Sequence, residues 1–224
     1  MMFWDEAIIS FYNKLRFPAV PASISILNPF QNDEAKKVWQ TFYKKYYHDD
    51  AKRIMMIGIN PGRFGAGVTG IPFTDPIRLS DICGITNTLD KKPELSSLFI
   101  YALAEKFGGA DRFFQHCYFT SVSPLGFVRD GKNINYYDDQ ELQRAITPFA
   151  ADCMQRQLSF PIIRKTAIVI GEGKNYSFLQ KLNEQFGWFE KIVPLAHPRF
   201  VMQYKRRHME EYIGNYIQAI NKCF

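Results

Sequence analysis

The residues able to do chemistry stand at the ends of apolar runs. His197 follows the run Lys191 to Ala196 and precedes Pro198, Arg199 and Phe200. A histidine there is either a hydrogen-bonded structural residue or a functional one. Near a helix start, backbone N–H groups oppose its protonation and leave a neutral imidazole. Such a ring is a hydrogen-bond donor able to stabilise a developing oxyanion. Asn60 ends a second run, Arg53 to Asn60, and opens a segment that reaches Phe73 and holds Gly58, Gly62, Gly65, Gly67 and Gly70. Glycines permit positive φ and close backbone approach to a ligand, so the segment is a ligand cradle or a long surface connection. It has neither a Gly-Lys-Ser/Thr ending nor a GxGxxG opening a helix, which argues against a nucleoside triphosphate. Asn60 and Phe73 pair an amide with an aromatic plate, a combination suited to a planar heterocycle. Asn133 follows the turn signal Asp130-Gly131. It serves that turn, or its side chain both accepts from and donates to a planar amide edge.

These residues need elements to hold them. Arg53 to Asn60, Cys117 to Val122, Thr166 to Ile170 and Lys191 to Ala196 are short continuous apolar runs ended by Pro, Gly or Ser. They read as strands buried on both faces. Helical patterns cover Asp5 to Leu15, a stretch from Asp33, Leu95 to Phe107, Asp138 to Leu158, and Tyr176 to Phe186. A last helix is expected over about Met202 to Ile220, where Met209, Ile213, Ile217 and Ile220 share a face. Strands alternating with helices predict right-handed crossovers and an α/β fold: one three-layer αβα domain over residues 1–224 with a central, mainly parallel four-stranded sheet. Ligands in such sheets bind outside the carboxyl ends of the strands. That rule selects the loops beginning at Asn60, Ser123, Gly171 and His197.

Composition narrows the classes. The 224 residues are 46% hydrophobic and 22% charged, enough for a real core. The net charge of +6 is compatible with a polyanionic partner without requiring one. No apolar run approaches the ~20 residues of a membrane helix, and Asp5, Glu6, Lys14 and Arg16 interrupt any signal-peptide pattern. Cys83, Cys117, Cys153 and Cys223 are far apart, and no His/Cys/Asp cluster has ligand spacing. The expectation is a cytoplasmic monomer with no metal, no cofactor and no disulfide framework.

A family resemblance emerges from the same residues. Gly58-Ile59-Asn60-Pro61-Gly62, Phe64-Gly65, Thr69-Gly70 and Pro72-Phe73 resemble the first motif of the single-strand-selective monofunctional uracil-DNA glycosylases. His197-Pro198 resembles the start of their second motif. Ser123-Pro124-Leu125, Phe127 and Gly131-Lys132-Asn133 fit the segment between, and Asn28-Pro29 fits the N-terminal part. The likeness spans about Phe17 to Tyr212 and is nearest to a bacterial second branch of that family. It implies a monofunctional DNA glycosylase that hydrolyses the N-glycosidic bond of uracil, with DNA as partner. Asn60 would position the attacking water, Phe73 would stack on the everted base, Asn133 would read its Watson–Crick edge, and His197 would hydrogen-bond O2 of the departing uracil. Gly58, Ile59, Pro61, Gly62, Phe64, Gly65 and Ala66 would line the base, the stretch from Gly62 to Ala66 on its C5 side. Pro198, Arg199 and Phe200 would face DNA. By their charge Arg63, Arg199, Lys205, Arg206 and Arg207 are candidates for phosphate contacts; the run Lys205-Arg206-Arg207, at the start of the expected last helix, serves DNA or is an ordinary solvated helix face.

Two departures stand out. The family continues His-Pro-Ser-Pro-Arg-Asn, whereas this chain has His197-Pro198-Arg199-Phe200-Val201, so Arg199 or Phe200 would fill the gap left by the everted base. Ala66 replaces a methionine and makes room for deaminated purines. The alternatives are therefore excision of xanthine or hypoxanthine, a damaged-DNA-binding protein without turnover, and an unrelated doubly wound enzyme with a small substrate.

Overall fold

Apolar runs that bury every side chain need cover on both faces, and the computed structural model provides it. The structure describes residues 3–224; Met1 and Met2, part of the expected 1–224 domain, lie outside the described residues. Strands β2 (Ile54–Gly58), β3 (Cys117–Ser121), β6 (Thr166–Ile170) and β7 (Lys191–Leu195) form a parallel sheet in the order β3-β2-β6-β7. All residues of β2, β3 and β6 are buried, as central parallel strands demand. The three-layer α/β expectation holds. One hydrophobic cluster runs from Trp4 in helix α1 (Trp4–Asn13) to Ile220 in helix α10 (Met209–Asn221).

The chain leaves β2 toward β3 and leaves β6 toward β7, in opposite directions across the sheet. The neighbouring ends of β2 and β6 are thus a topological switch point, where the crossing loops open a crevice. A second, antiparallel sheet lies outside the sequence reading: β1 (Ser25–Leu27), β4 (Gly126–Arg129) and β5 (Lys132–Ile134), in the order β1-β4-β5. Asp130 (φ 50°) and Gly131 (φ 69°) make the tight turn joining β4 to β5, as the Asp-Gly pair predicts.

Helices α2 (Asp33–Tyr46) and α5 (Leu95–Phe107) fall where the apolar spacing places them, and α7 (Gln140–Gln157) and α8 (Lys174–Phe186) lie within two residues of expectation. Short helices α3 (Ala66–Thr69), α4 (Pro76–Asp81) and α6 (Ala110–His116) complete the early half. The expected last helix is two. Helix α9 (Pro198–Tyr204) ends where Lys205 N–H meets the Val201 carbonyl, a 3-10 turn spans Arg206–His208, and α10 follows. Val201 and Met202 are buried by α9, whereas the stripe of Ile213, Tyr216 and Ile220 belongs to α10 alone. Lys205, Arg206 and Arg207 therefore sit on an exposed connector, not on the first turn of the last helix. Among the described residues no helix is long and apolar enough to cross a membrane.

Candidate active site

A cavity of about 850 Å³ opens at the carboxyl ends of the strands. Asn60, Phe73, Asn133 and His197, distant in sequence, all line it. Ile59, Pro61, Gly62 and Ala66 line it too, as do Arg199 and Phe200.

Asn60 lies just beyond the tip of β2 and is fixed by the end of β5 and the chain that follows it. Its Nδ2 donates to the carbonyls of Ile134 (3.2 Å) and Pro61 (3.4 Å), and its Oδ1 accepts from Tyr136 N–H (3.0 Å). The amide cannot flip without breaking these bonds, and one Oδ1 lone pair stays available. Asn133 on β5 accepts at Oδ1 from Arg63 N–H (3.3 Å), which orients its amide as well.

His197 is the N-cap of α9, with Pro198 buried behind it in the first helical turn. Its Nδ1 accepts from Arg199 N–H at 3.2 Å. A ring nitrogen that accepts carries no proton, so the neutral ring is protonated at Nε2 and remains a donor. Burial, and then the Arg199 guanidinium, lower its pKa from 6.5 to about 4. The preceding Ala196 carbonyl is held by Tyr216 Oη from α10 (2.7 Å), which anchors the loop to the core.

Phe73 adopts φ 56°, a left-handed conformation that a bulky residue takes only under constraint. Thr69 supplies it: Oγ1 donates to the Thr74 carbonyl (2.7 Å) and accepts from Ile71 N–H (3.1 Å). The Phe73 ring packs edge-on against Phe119 at 5.6 Å and lies 6.0 Å from the His197 ring. Gly58 lies beneath it; a Cβ there would stand 2.9 Å from Phe73 Cζ.

The other expected residues lie around the cavity rather than on its wall. Gly65 is packed against Glu94. Phe64 is exposed, with Arg63 at 4.9 Å and Lys92 at 5.7 Å from its ring centre. The Arg63 guanidinium also donates to the Gly131 carbonyl. Lys205 and Arg206 are exposed on the connector after α9. No group of acidic, histidine or cysteine side chains able to hold a metal ion exists among the described residues.

Sequence reasoning missed several wall residues: Glu94, Tyr137, Lys174, Gln203 and Tyr204. Tyr204 carries a usable signal, because an exposed aromatic four residues after Phe200 continues one helix face; their rings are 5.7 Å apart. Glu94 carries none, since its neighbours Pro93 and Leu95 read as an ordinary helix start. Burial, and then Asp75, raise its pKa to about 7, with Arg199 opposing.

A parallel sheet with a fixed asparagine at its switch point and an uncharged histidine just beyond the carboxyl end of β7 defines a class. The model of the uracil DNA glycosylase superfamily matches residues 45–221, and the chain belongs to that superfamily. It is a DNA glycosylase by that membership. Among solved structures, the chain is similar to the wild-type SMUG2 of Pedobacter heparinus, with 41% identity over 99% of this chain and 98% of that one and a TM-score of 0.96.

Proposed function

We propose that this protein hydrolyses the N-glycosidic bond of uracil in DNA without cleaving the strand, acting as a cytoplasmic monomer of one domain that needs no cofactor or metal. The observation that carries the reading is the shared cavity of Asn60, Phe73, Asn133 and His197, with His197 Nδ1 accepting from Arg199 N–H, which leaves Nε2–H of the neutral ring free to donate to a ligand. A base must leave the stack to reach such a cavity, at a cost of about a few kcal/mol in a duplex and less in single strands. Phe73 stacks on the everted base and Asn133 reads its Watson–Crick edge. The bond from C1′ to N1 then lengthens, leaving an oxocarbenium-like sugar and a uracil anion. His197 Nε2–H holds the charge at O2, a stabilisation of about 3 kcal/mol for one well-placed donor. Asn60 Oδ1 orients the attacking water; an amide cannot deprotonate it, so His197 contributes more than Asn60. Arg63, Arg199, Lys205 and Arg206 contact phosphates, and Arg199 or Phe200 fills the gap in the stack.

The small side chain of Ala66 on the cavity wall favours a second reading, excision of deaminated purines at the same site. A panel of single- and double-stranded oligonucleotides holding uracil, 5-hydroxymethyluracil, xanthine or hypoxanthine tests both. Release of uracil supports the first, release of purines alone replaces it with the second, and binding without release leaves a non-catalytic DNA-binding protein.

A further inference from the structure

Glu94 is the cavity carboxyl group that the proposed chemistry leaves unused. Its backbone N–H is fixed by Asp75 Oδ2 (3.0 Å), the buried N-cap of α4 that also accepts from Ile77 N–H and Arg78 N–H. Its carboxyl lies over two residues that have no side chain. A Cβ on Gly65 would collide with Oε2, and one on Gly62 would stand 3.4 Å from Oε1 and 3.3 Å from Asn133 Nδ2. Glu94 and Asn133 thus flank the same glycine on one wall. No protein donor reaches the Glu94 carboxyl oxygens among the described residues, so their hydrogen-bonding capacity faces the cavity.

We propose that Glu94 recognises the exocyclic carbonyl that deamination leaves on a base, donating its carboxylic O–H to O4 of uracil or O6 of hypoxanthine. This rests on the reading that the cavity takes an everted base and that Asn133 reads its Watson–Crick edge, since the carbonyl is the next group along that edge. Cytosine and adenine carry an amino group there, and a donor meeting a donor leaves both unpaired, which is a strong basis for rejection. The charged groups around Glu94 are Asp75 from α4, which favours the protonated form, and Arg199 from α9, which opposes it. His197 stays neutral above about pH 4 and adds no charge. Protonated Glu94 is thus available up to about pH 7 and vanishes above it. An ionised carboxylate repels the carbonyl lone pairs.

The test is single-turnover excision of uracil and hypoxanthine from oligonucleotides between pH 6 and 8.5, with wild type, Glu94→Gln and Glu94→Ala. Wild type is expected to slow roughly tenfold or more from pH 6.5 to 8.5 as the proton leaves. Glu94→Gln offers an N–H donor at every pH and is expected to stay within about twofold over that range. Glu94→Ala, checked for folding by its melting temperature, is expected to lose about tenfold at pH 6.5. An alkaline decline that persists in Glu94→Gln overturns the assignment of Glu94 alone, as does a wild type with no decline. A wild type that releases neither base overturns the glycosylase reading and the role of Glu94 with it.

Discussion

Replacing His197 probes the charge state on which the proposed chemistry turns. The fall of its pKa from 6.5 to about 4 corresponds to roughly 3 kcal/mol of preference for the neutral ring. Two measurements follow. In catalysis, His197→Ala removes the Nε2–H donor, and a lost donor of this kind costs about 3 kcal/mol, or a few hundredfold in the single-turnover rate. Affinity for uncleaved DNA should change little, because the donor acts on charge that develops only as the bond breaks. In stability, the unfolded chain takes up a proton on this ring below pH 6.5, while the folded chain refuses it until about pH 4. The unfolded state therefore binds more protons in that window, and stability falls as the pH drops through it. His197→Asn abolishes this share of the acid sensitivity, so its loss of stability from pH 7 to pH 4 should be smaller by up to about 3 kcal/mol in urea melts. Equal excision rates for wild type and His197→Ala would end the assigned role. So would a rate that rises as the pH falls through 6.5 in Glu94→Gln, where no carboxyl group titrates at that position, because that is the behaviour of an imidazolium acid.

Other consequences are accessible to simple assays. Gly58→Ala places a methyl 2.9–3.0 Å from the Phe73 ring, which Phe119 blocks from retreating; it should cost about 1–3 kcal/mol in thermal melts and raise KM. Neutralising Lys205 and Arg206 together should leave kcat unchanged and flatten the salt dependence of binding by roughly one unit of slope per phosphate contact, whereas an unchanged slope would remove both from the interface. The product should be an intact abasic site, broken only by alkali or heat. Strand breaks at neutral pH, with borohydride trapping DNA on Lys174 at the cavity wall, would contradict hydrolysis without lyase chemistry.

The parts of the fold that were legible are those with an unambiguous pattern. Thr166–Ile170 and Leu95–Phe107 match their expected bounds because one is a short, almost continuous apolar run and the other a longer helix-patterned stretch closed by Gly108 at φ 114°. The strands β1, β4 and β5 were not legible, since three or four residues cannot display an alternation. Met202 to Ile220 read as one helix because apolar residues recur throughout; the break at Lys205 depends on where Val201 and Met202 are buried, which is tertiary information. In the site, Asn60 and His197 are found because strand ends followed by Pro mark them, and Phe73 because it closes the glycine-rich segment that Asn60 opens. The place of His197 before a helix predicts a neutral ring, and burial, followed by the Arg199 guanidinium, lowers its pKa. Glu94 was hidden because its environment is made by Asp75, Gly62, Gly65 and Arg199, all remote in sequence.

The bonds around Asn60 tie the two halves of the site together. Its amide is held by Ile134 and Tyr136, while Asn133, one residue earlier, faces the same cavity from β5. The β4–β5 turn is in turn held against the first loop by Arg63, which reaches both Gly131 and Asn133. The group assigned to the water and the group assigned to the base edge are therefore registered against one short hairpin rather than placed independently. His197 is registered differently, through Ala196 and Tyr216, to the helical layer beneath the sheet. On the proposed reading, an everted base between these two frames would meet Asn133 and His197 at a separation set by the core. Uncharged groups would suffice for the proposed chemistry under that arrangement, because fixed dipoles already aimed at the developing charge need no reorganisation when the bond breaks.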